Sequence, residues 1–501
     1  MALTTYLDFA VDDLLRADLS QLTQATDYDT CWAARLTSED ERLAYPYLLE
    51  ALTNRQHPDG SWGSQVPYIH DRLLSTLAVV LLLSRFGHRQ HDKAQRLAGQ
   101  GYIWRHASKL YHDAYNTIGF EMILPTLLTE GRELGLDLPY VQLRHYEDER
   151  AKKLSLLPMQ HLFEIPTSAL FSLEAFAGDI DLEAATNLLL EDGSMATSPS
   201  ATAFFLGQFP DWGSRYPKSA AYVEDLLRRL DCGLPTVAPC GIFMRTFTLY
   251  YLHCGNLLAG RADLLKPHYE YIRKHWRLEG IGWAPGTIPN SDDTAAALLA
   301  LQHAGYEVDG TCLLAYERDK YFAVLEHELD PSVSANLHIL EALETLPERV
   351  RPRVRDKILG YLLRARRYGT FWSDKWHASV YYPTSVALGV LSSHIPDEVD
   401  TTLRWLLFTQ HTNGAWGQYM PTMEETAFTL LALLNYHRSV RFLPDEPLRR
   451  AAQYLLANER PLEDNYPELW VGKALYAPAF VIRSAVLAAL SLYDDTFGDL
   501  V

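Results

Sequence analysis

The chain contains no C-x-x-C pair. Its five cysteines, Cys31, Cys232, Cys240, Cys254 and Cys312, are odd in number and scattered along 501 residues. That excludes a disulfide framework and a zinc ribbon. No apolar run is long enough to cross a bilayer; the longest, "TLAVVLLLS" near residue 80, falls well short of a span. The opening stretch "MALTTYLDFAVDDLLRADL" carries acids inside an amphipathic pattern. It lacks a basic start and an apolar core, so it does not read as a signal peptide. Basic residues are outnumbered, 45 Lys and Arg against 63 Asp and Glu, for a net charge of −18. Such a chain is poorly suited to coat nucleic acid or an anionic membrane. Apolar residues alternating with period two, the mark of a half-buried strand, are nearly absent. The expectation is a cytoplasmic, soluble protein with little sheet, no nucleic-acid partner and no stable membrane insertion.

What the chain does have is helix. Hydrophobic residues make up 48% of it, enough for more than one ordinary domain or for one domain carrying a large insertion. The segments "LLEALTNRQ", "RLLSTLAVVLLLSRFG", "FEMILPTLLTEGRELG", "ETAFTLLALLNYHRSV" and "SAVLAALSLYDD" keep an i, i+3, i+4 apolar rhythm. Gly, Pro and Asp cluster between them. An internal repeat lies over this pattern. "QHPDGSWG" at 56–63 and "QHTNGAWG" at 410–417 both fit Q-x-x-x-G-x-W, with weaker echoes in "LEDGSMA", "LEGIGWA" and "YGTFW". A helix ending in Gln, a turn that needs Gly and a Trp packing back make a unit that stacks helical hairpins into a ring. The expected role of the repeat is to brace the fold.

Residues 290–302 read "NSDDTAAALLALQ". Two adjacent carboxyls precede an Ala/Leu helix. They can be helix-capping acids, welcomed by the positive end of the helix. Alternatively, one of them is a buried acid. An acid that is to donate its proton must stay protonated at neutral pH and be shielded from water. Burial and a neighbouring carboxylate both raise a carboxyl pKa, and Asp292 and Asp293 supply the second of these.

From about residue 25 to 490 the chain resembles the class II terpene cyclases, most closely the bacterial diterpene cyclases that make bicyclic diphosphates. The resemblance rests on the order and spacing of "DYDTCWAARL", "QHPDGSWG", "DRLLSTLA", "IGFEMILPTLL", "SPSATAF", "NSDDTA", "NLHILEAL", "DKWHASVYYPT", "EETAF" and "LWVGKALY". It implies an all-α architecture of two α/α-barrel (toroid) domains, with an inserted γ domain at 37–230 and a β domain formed by 1–36 and 231–501. The family's acidic motif is D-x-D-D, and here Asn290 replaces the first Asp. Its middle Asp, the proton donor, matches Asp292. His338 in "NLHILEAL" matches the partner that holds the acid. The acidic magnesium motif of plant members has no equivalent in "RADLSQLTQAT", so the metal ligands are unassigned. Mg2+ bound together with the substrate diphosphate is still the expected cofactor.

The resemblance further implies a diphosphate that is gripped and kept. Lys109 in "HASKLYHD" and Lys473 in "WVGKALY" match lysines that contact it, with Arg72 as a third candidate. A carbocation needs a dry pocket with aromatic walls. The candidates are Trp283, Trp372, Trp376, Tyr381 and Tyr382. Plant copalyl-type members carry a His and an Asn that help remove the last proton. Here Phe171 and Thr236 stand at those positions, and a Phe cannot accept a proton. The implied activity is cyclisation of geranylgeranyl diphosphate to a bicyclic diphosphate, possibly rearranged to a halimane or clerodane skeleton, upstream of a class I terpene synthase or a phosphatase. A sesquiterpene (drimenyl-type) or triterpene cyclase and a noncatalytic helical-ring binding protein are the competing classes. The D-D-x-x-D motif of class I enzymes has only the imperfect "DDTFGD" at 494–499, read as an acidic tail.

Overall fold

The structure is a computed structural model, and it describes residues 3–19, 23–157, 165–180, 182–326, 328–459 and 466–498. The tail motif "DDTFGD" ends at Asp499, outside the described residues. Among those residues the chain is helical apart from one short antiparallel hairpin, Trp470–Val471 paired with Leu475–Tyr476.

The helices close two rings. In the larger ring Gly241–Cys254 packs on Ser291–His303, which packs on Val333–Glu341, then Tyr381–Leu391, Met423–Ser439 and Ala479–Phe497, which returns to Gly241–Cys254. These inner helices are buried on nearly every face, as a helix walled by neighbours on both sides must be. Arg351–Ala365, Asp445–Asn458, Ala262–Lys274 and Leu3–Arg16 form part of an outer layer. The smaller ring runs Asp27–Ala34, Ile69–Phe86, Phe120–Glu133, Ser168–Phe176 and Pro199–Leu206, closing on Asp27–Ala34. Each ring has its own hydrophobic core. The Asp27–Ala34 helix, which a boundary at residue 36 assigns to the first unit, packs in the smaller ring. All eight of its residues are buried there.

The repeat does what its spacing predicts. Gln56 Nε2 donates to Gly60 O and Gln95 O, and Gln410 Nε2 donates to Gly414 O and Pro447 O. Each Gln ties its own turn to the next outer helix. Gly414 sits at φ +89, and a Cβ there would lie 2.5 Å from the Arg450 carbonyl oxygen. The indole of Trp62 donates to Leu52 O and that of Trp416 to Leu406 O, both at 2.7 Å and both ten residues back. Trp372 makes the same bond to Leu362 O. It belongs to the braces, with no exposed ring to offer a substrate.

Candidate active site

Three inner helices begin alike. Thr26, Asn290 and Thr422 sit in extended backbone and accept the N–H of Asp29, Asp293 and Glu425, three residues on. Each acid is bonded in return. Thr26 Oγ1 donates to Asp29 Oδ2 at 2.7 Å, Thr422 Oγ1 to Glu425 Oε2 at 2.7 Å, and Asn290 Nδ2 to Asp293 Oδ2 at 2.6 Å. This is the reciprocal logic of a capping box. The two explanations of "NSDD" therefore divide between its acids. Asp293 closes the cap, while Asp292, one residue earlier, takes no part in it and lines a cavity.

Asp292 Oδ1 lies 2.6 Å from His338 Nδ1. The imidazole is 1% exposed and the Asp292 side chain 19%, on the cavity side. His338 is held by a helix whose start is unusually well tied. Asp374 Oδ1 accepts from Ser332 Oγ at 2.9 Å and from the Val333 N–H at 2.6 Å, and its Oδ2 accepts from Ser334 Oγ at 2.9 Å. A carboxylate at a helix N-terminus is electrostatically favourable. Burial pulls the His338 pKa down, but the charge and hydrogen bond of Asp292 outweigh it and the net shift is upward. His338 is thus the donor to Asp292. Asp293 is pushed up to about 7, chiefly by burial; the Asn290 bond opposes the shift and the Asp292 charge adds to it. A second carboxyl that keeps its proton into the neutral range stands beside the first.

The cavity, about 1030 Å3 with its mouth included, lies between the two rings. The smaller ring contributes Ser168 and Phe171, and the segment leading into Phe120–Glu133 contributes Ile118. The rest of the wall is Thr236, Val237, Cys240, Phe243, Trp283, Val324, Leu325, Ser334, Trp376 and the hairpin residues Trp470, Val471, Gly472 and Tyr476. Phe171 and Trp283 meet edge to face with centroids 6.2 Å apart. Burial pushes the Cys240 thiol up to about 12, with Asp293 adding to the effect, and lifts the Tyr476 phenol far above its usual range. Apart from the acid pair, these walls stay neutral.

The structure brings Asn290, Asp292, Asp293, Trp283, Trp376, Phe171 and Thr236 to one cavity, with His338 directly behind Asp292. Other sequence candidates go elsewhere. Tyr381 stacks on Trp405 at 5.2 Å, and Tyr382 packs behind Trp470 at 5.1 Å; neither lines the wall. Lys473 is fully buried, and its ammonium is shared among Glu174 Oε1 at 2.7 Å, Ser198 Oγ at 2.6 Å and Phe171 O at 2.8 Å. A cation neutralised this completely ties the hairpin to the smaller ring and is not free to hold a diphosphate. Arg72 is likewise engaged, by Ser64 O, Gln65 O and Asp59 in the first repeat turn. Lys109 is exposed, on the stretch that leads to cavity-lining Ile118. Sequence reasoning missed Phe243, Trp470 and Tyr476 on the wall. It also missed Lys375, whose ammonium lies 5.1 Å from the Trp376 ring centre and pairs with Glu328 just beyond Leu325. The string "DKWHAS" carried that signal as a cation next to a cavity aromatic. No three His, Cys, Asp or Glu side chains converge as a metal cage among the described residues.

A closed helical ring that faces an apolar, aromatic cavity and sets a cavity-lining carboxyl against a buried histidine defines an acid-initiated hydrocarbon cyclase. The comparisons agree. The chain is 32% identical to the type B diterpene cyclase of Mycobacterium tuberculosis, covering 96% of this chain and 98% of that one. It is 29% identical to the (+)-kolavenyl diphosphate synthase of Herpetosiphon aurantiacus over 99% of both. The ent-copalyl diphosphate synthase from Streptomyces platensis superimposes with a TM-score of 0.77 at 28% identity, over 97% of this chain and 99% of that one. No family model matches the chain. It belongs to the class II diterpene cyclases. Among the described residues no helix is long and apolar enough to cross a membrane.

Proposed function

We propose that this enzyme protonates the terminal alkene of geranylgeranyl diphosphate with Asp292 and closes two rings while the diphosphate stays attached. The carrying observation is the Asp292–His338 bond at the wall of an apolar cavity. The proton on the free oxygen of Asp292 passes to the alkene carbon, whose electron pair forms the new C–H bond. The cation left behind is attacked by the next alkene. His338 donates to the carboxylate that remains, stabilising charge as it develops. Proton loss from the last cation completes the product. Lys375, over the cavity ring of Trp376, and Lys109, exposed on the stretch before Ile118, are the cations proposed to meet the diphosphate. Mg2+ fits as an ion carried on the diphosphate, whose oxygens supply most of its ligands. A phosphatase or class I synthase would then consume the product.

Phe171 and Thr236 on the wall favour a rearranged skeleton. Neither supplies a strong base, so the cation is not quenched at once and hydride and methyl shifts can follow. The likeness to a kolavenyl diphosphate synthase supports this choice. The test is incubation with C15, C20 and C30 prenyl substrates, with product mass spectra taken with and without phosphatase. A bicyclic alcohol seen only after phosphatase treatment of the C20 reaction is expected. Asp292→Asn should lower turnover at least about 100-fold, the low end for general acid catalysis. Near-normal turnover by that variant overturns the assignment.

A further inference from the structure

Glu424 occupies the same place in its helix as Asp292 does in its own. Each is the second residue after the cap, Thr422 in one case and Asn290 in the other. Each also meets a histidine, but Glu424 does not reach the cavity. It is 1% exposed, and its Oε1 accepts from the indole N–H of Trp470 at 2.6 Å and from His377 Nε2 at 3.0 Å. His377 Nδ1 lies 3.1 Å from both the N–H and the carbonyl oxygen of Ser379, which hold the ring in place against Glu424. Two donors on one oxygen is the pattern an ionised carboxylate takes. Among the described residues, Glu424 Oε2 has no hydrogen-bond partner, and no Lys or Arg pairs with the carboxylate. The structure thus buries a carboxylate directly behind an aromatic ring of the cavity wall and bonds it to that ring's N–H.

We propose that Glu424 is a positioning residue for the carbocation: its charge, delivered through the Trp470 N–H, makes that indole a stronger host for positive charge. The inference rests on the carbocation chemistry proposed above. A hydrogen bond to a carboxylate pushes electron density into the indole and so strengthens the attraction of its face for a cation. The uncharged prenyl chain feels little of this effect. Stabilisation that appears only once the cation forms raises kcat and leaves KM alone.

Glu424→Gln keeps the size and one acceptor oxygen and removes the charge. Its kcat with geranylgeranyl diphosphate should fall about tenfold at unchanged KM. A prenyl diphosphate analogue with a protonated amine at the cationic carbon should bind this variant about tenfold more weakly, while its neutral carbon isostere binds as before. In a Trp470→Phe background, which keeps a ring and removes the N–H, Glu424→Gln should change neither quantity further. Should the Gln variant fail to fold, Trp470→Phe alone must lose affinity for the cationic analogue and keep it for the neutral one. Equal losses for both analogues, or independent effects of the two substitutions, overturn the proposal. Absence of any bicyclic product from the unaltered enzyme would instead refute the proposed reaction, so the two failures are distinguishable.

Discussion

Asp293→Asn should stabilise the protein, and increasingly so as pH rises. The structure holds the Asp293 carboxyl at a pKa of about 7 against an ordinary value of 3.8. Below the ordinary value both folded and unfolded chains carry the proton, and the site is neutral in its effect. As pH rises past that value the unfolded chain releases the proton while the folded chain keeps it, so stability falls with pH. The loss stops near pH 7, where the folded form also ionises. At about 1.4 kcal/mol per unit, a shift of roughly three units costs the native state about 4 kcal/mol above neutrality, and about 1.5 kcal/mol near pH 5. Asn carries no such liability and its carbonyl can take the Asn290 amide in place of Asp293 Oδ2. Urea unfolding of both forms across this range measures the difference directly. A gain that grows from acid to alkaline pH is expected, together with slower cyclisation, because the carboxyl beside the proposed proton donor is gone. A stability difference that is flat with pH, or that shrinks as pH rises, would refute the argument.

Lys473→Met should cost about 3–5 kcal/mol in the same assay, because it leaves Glu174 charged and buried. Any folded fraction should show an unchanged KM, against the family expectation that this lysine grips the diphosphate. Lys375→Ala should raise KM for a diphosphate substrate more than it lowers kcat, which steady-state kinetics will separate. Phe171→His would place a base on the wall. NMR of the dephosphorylated product should then show an unshifted labdane with an exocyclic alkene at the expense of rearranged product.

Local physics was legible in the sequence and long-range pairing was not. The turn of the repeat is visible because Gln, Gly and Trp lie within one short stretch and each has a fixed task there. The echo "YGTFW" already carried Trp372 as a brace, and its spacing outweighs its aromatic character. Asp292 and Asp293 were visible as a pair, but which one caps the helix depends on the side chain of Asn290 and on the path of the cavity. The pairing of Lys473 was not legible because its partner, Glu174, lies 299 residues away in sequence. Lys109 and Lys473 look alike as letters, yet one is solvated and the other sealed. Trp470 and Phe243 went unread for a related reason: an apolar stretch names many aromatics, and only the packing of the two rings selects those that face the gap.

The hairpin at 470–476 has a consequence for the order in which the enzyme becomes active during synthesis. The smaller ring is complete by Leu206, and Asp292 emerges from the ribosome long before the hairpin does. Domains tend to fold as they appear, so the acidic helix can form while its cavity still lacks a wall. The last wall arrives with Trp470, Gly472 and Tyr476, and Lys473 and the Leu475 N–H latch it onto Glu174 and Asp71 of the ring made first. A nascent chain that stops short of the hairpin therefore owns the acid without its shelter, and remains chemically silent toward alkenes until the hairpin closes the chamber.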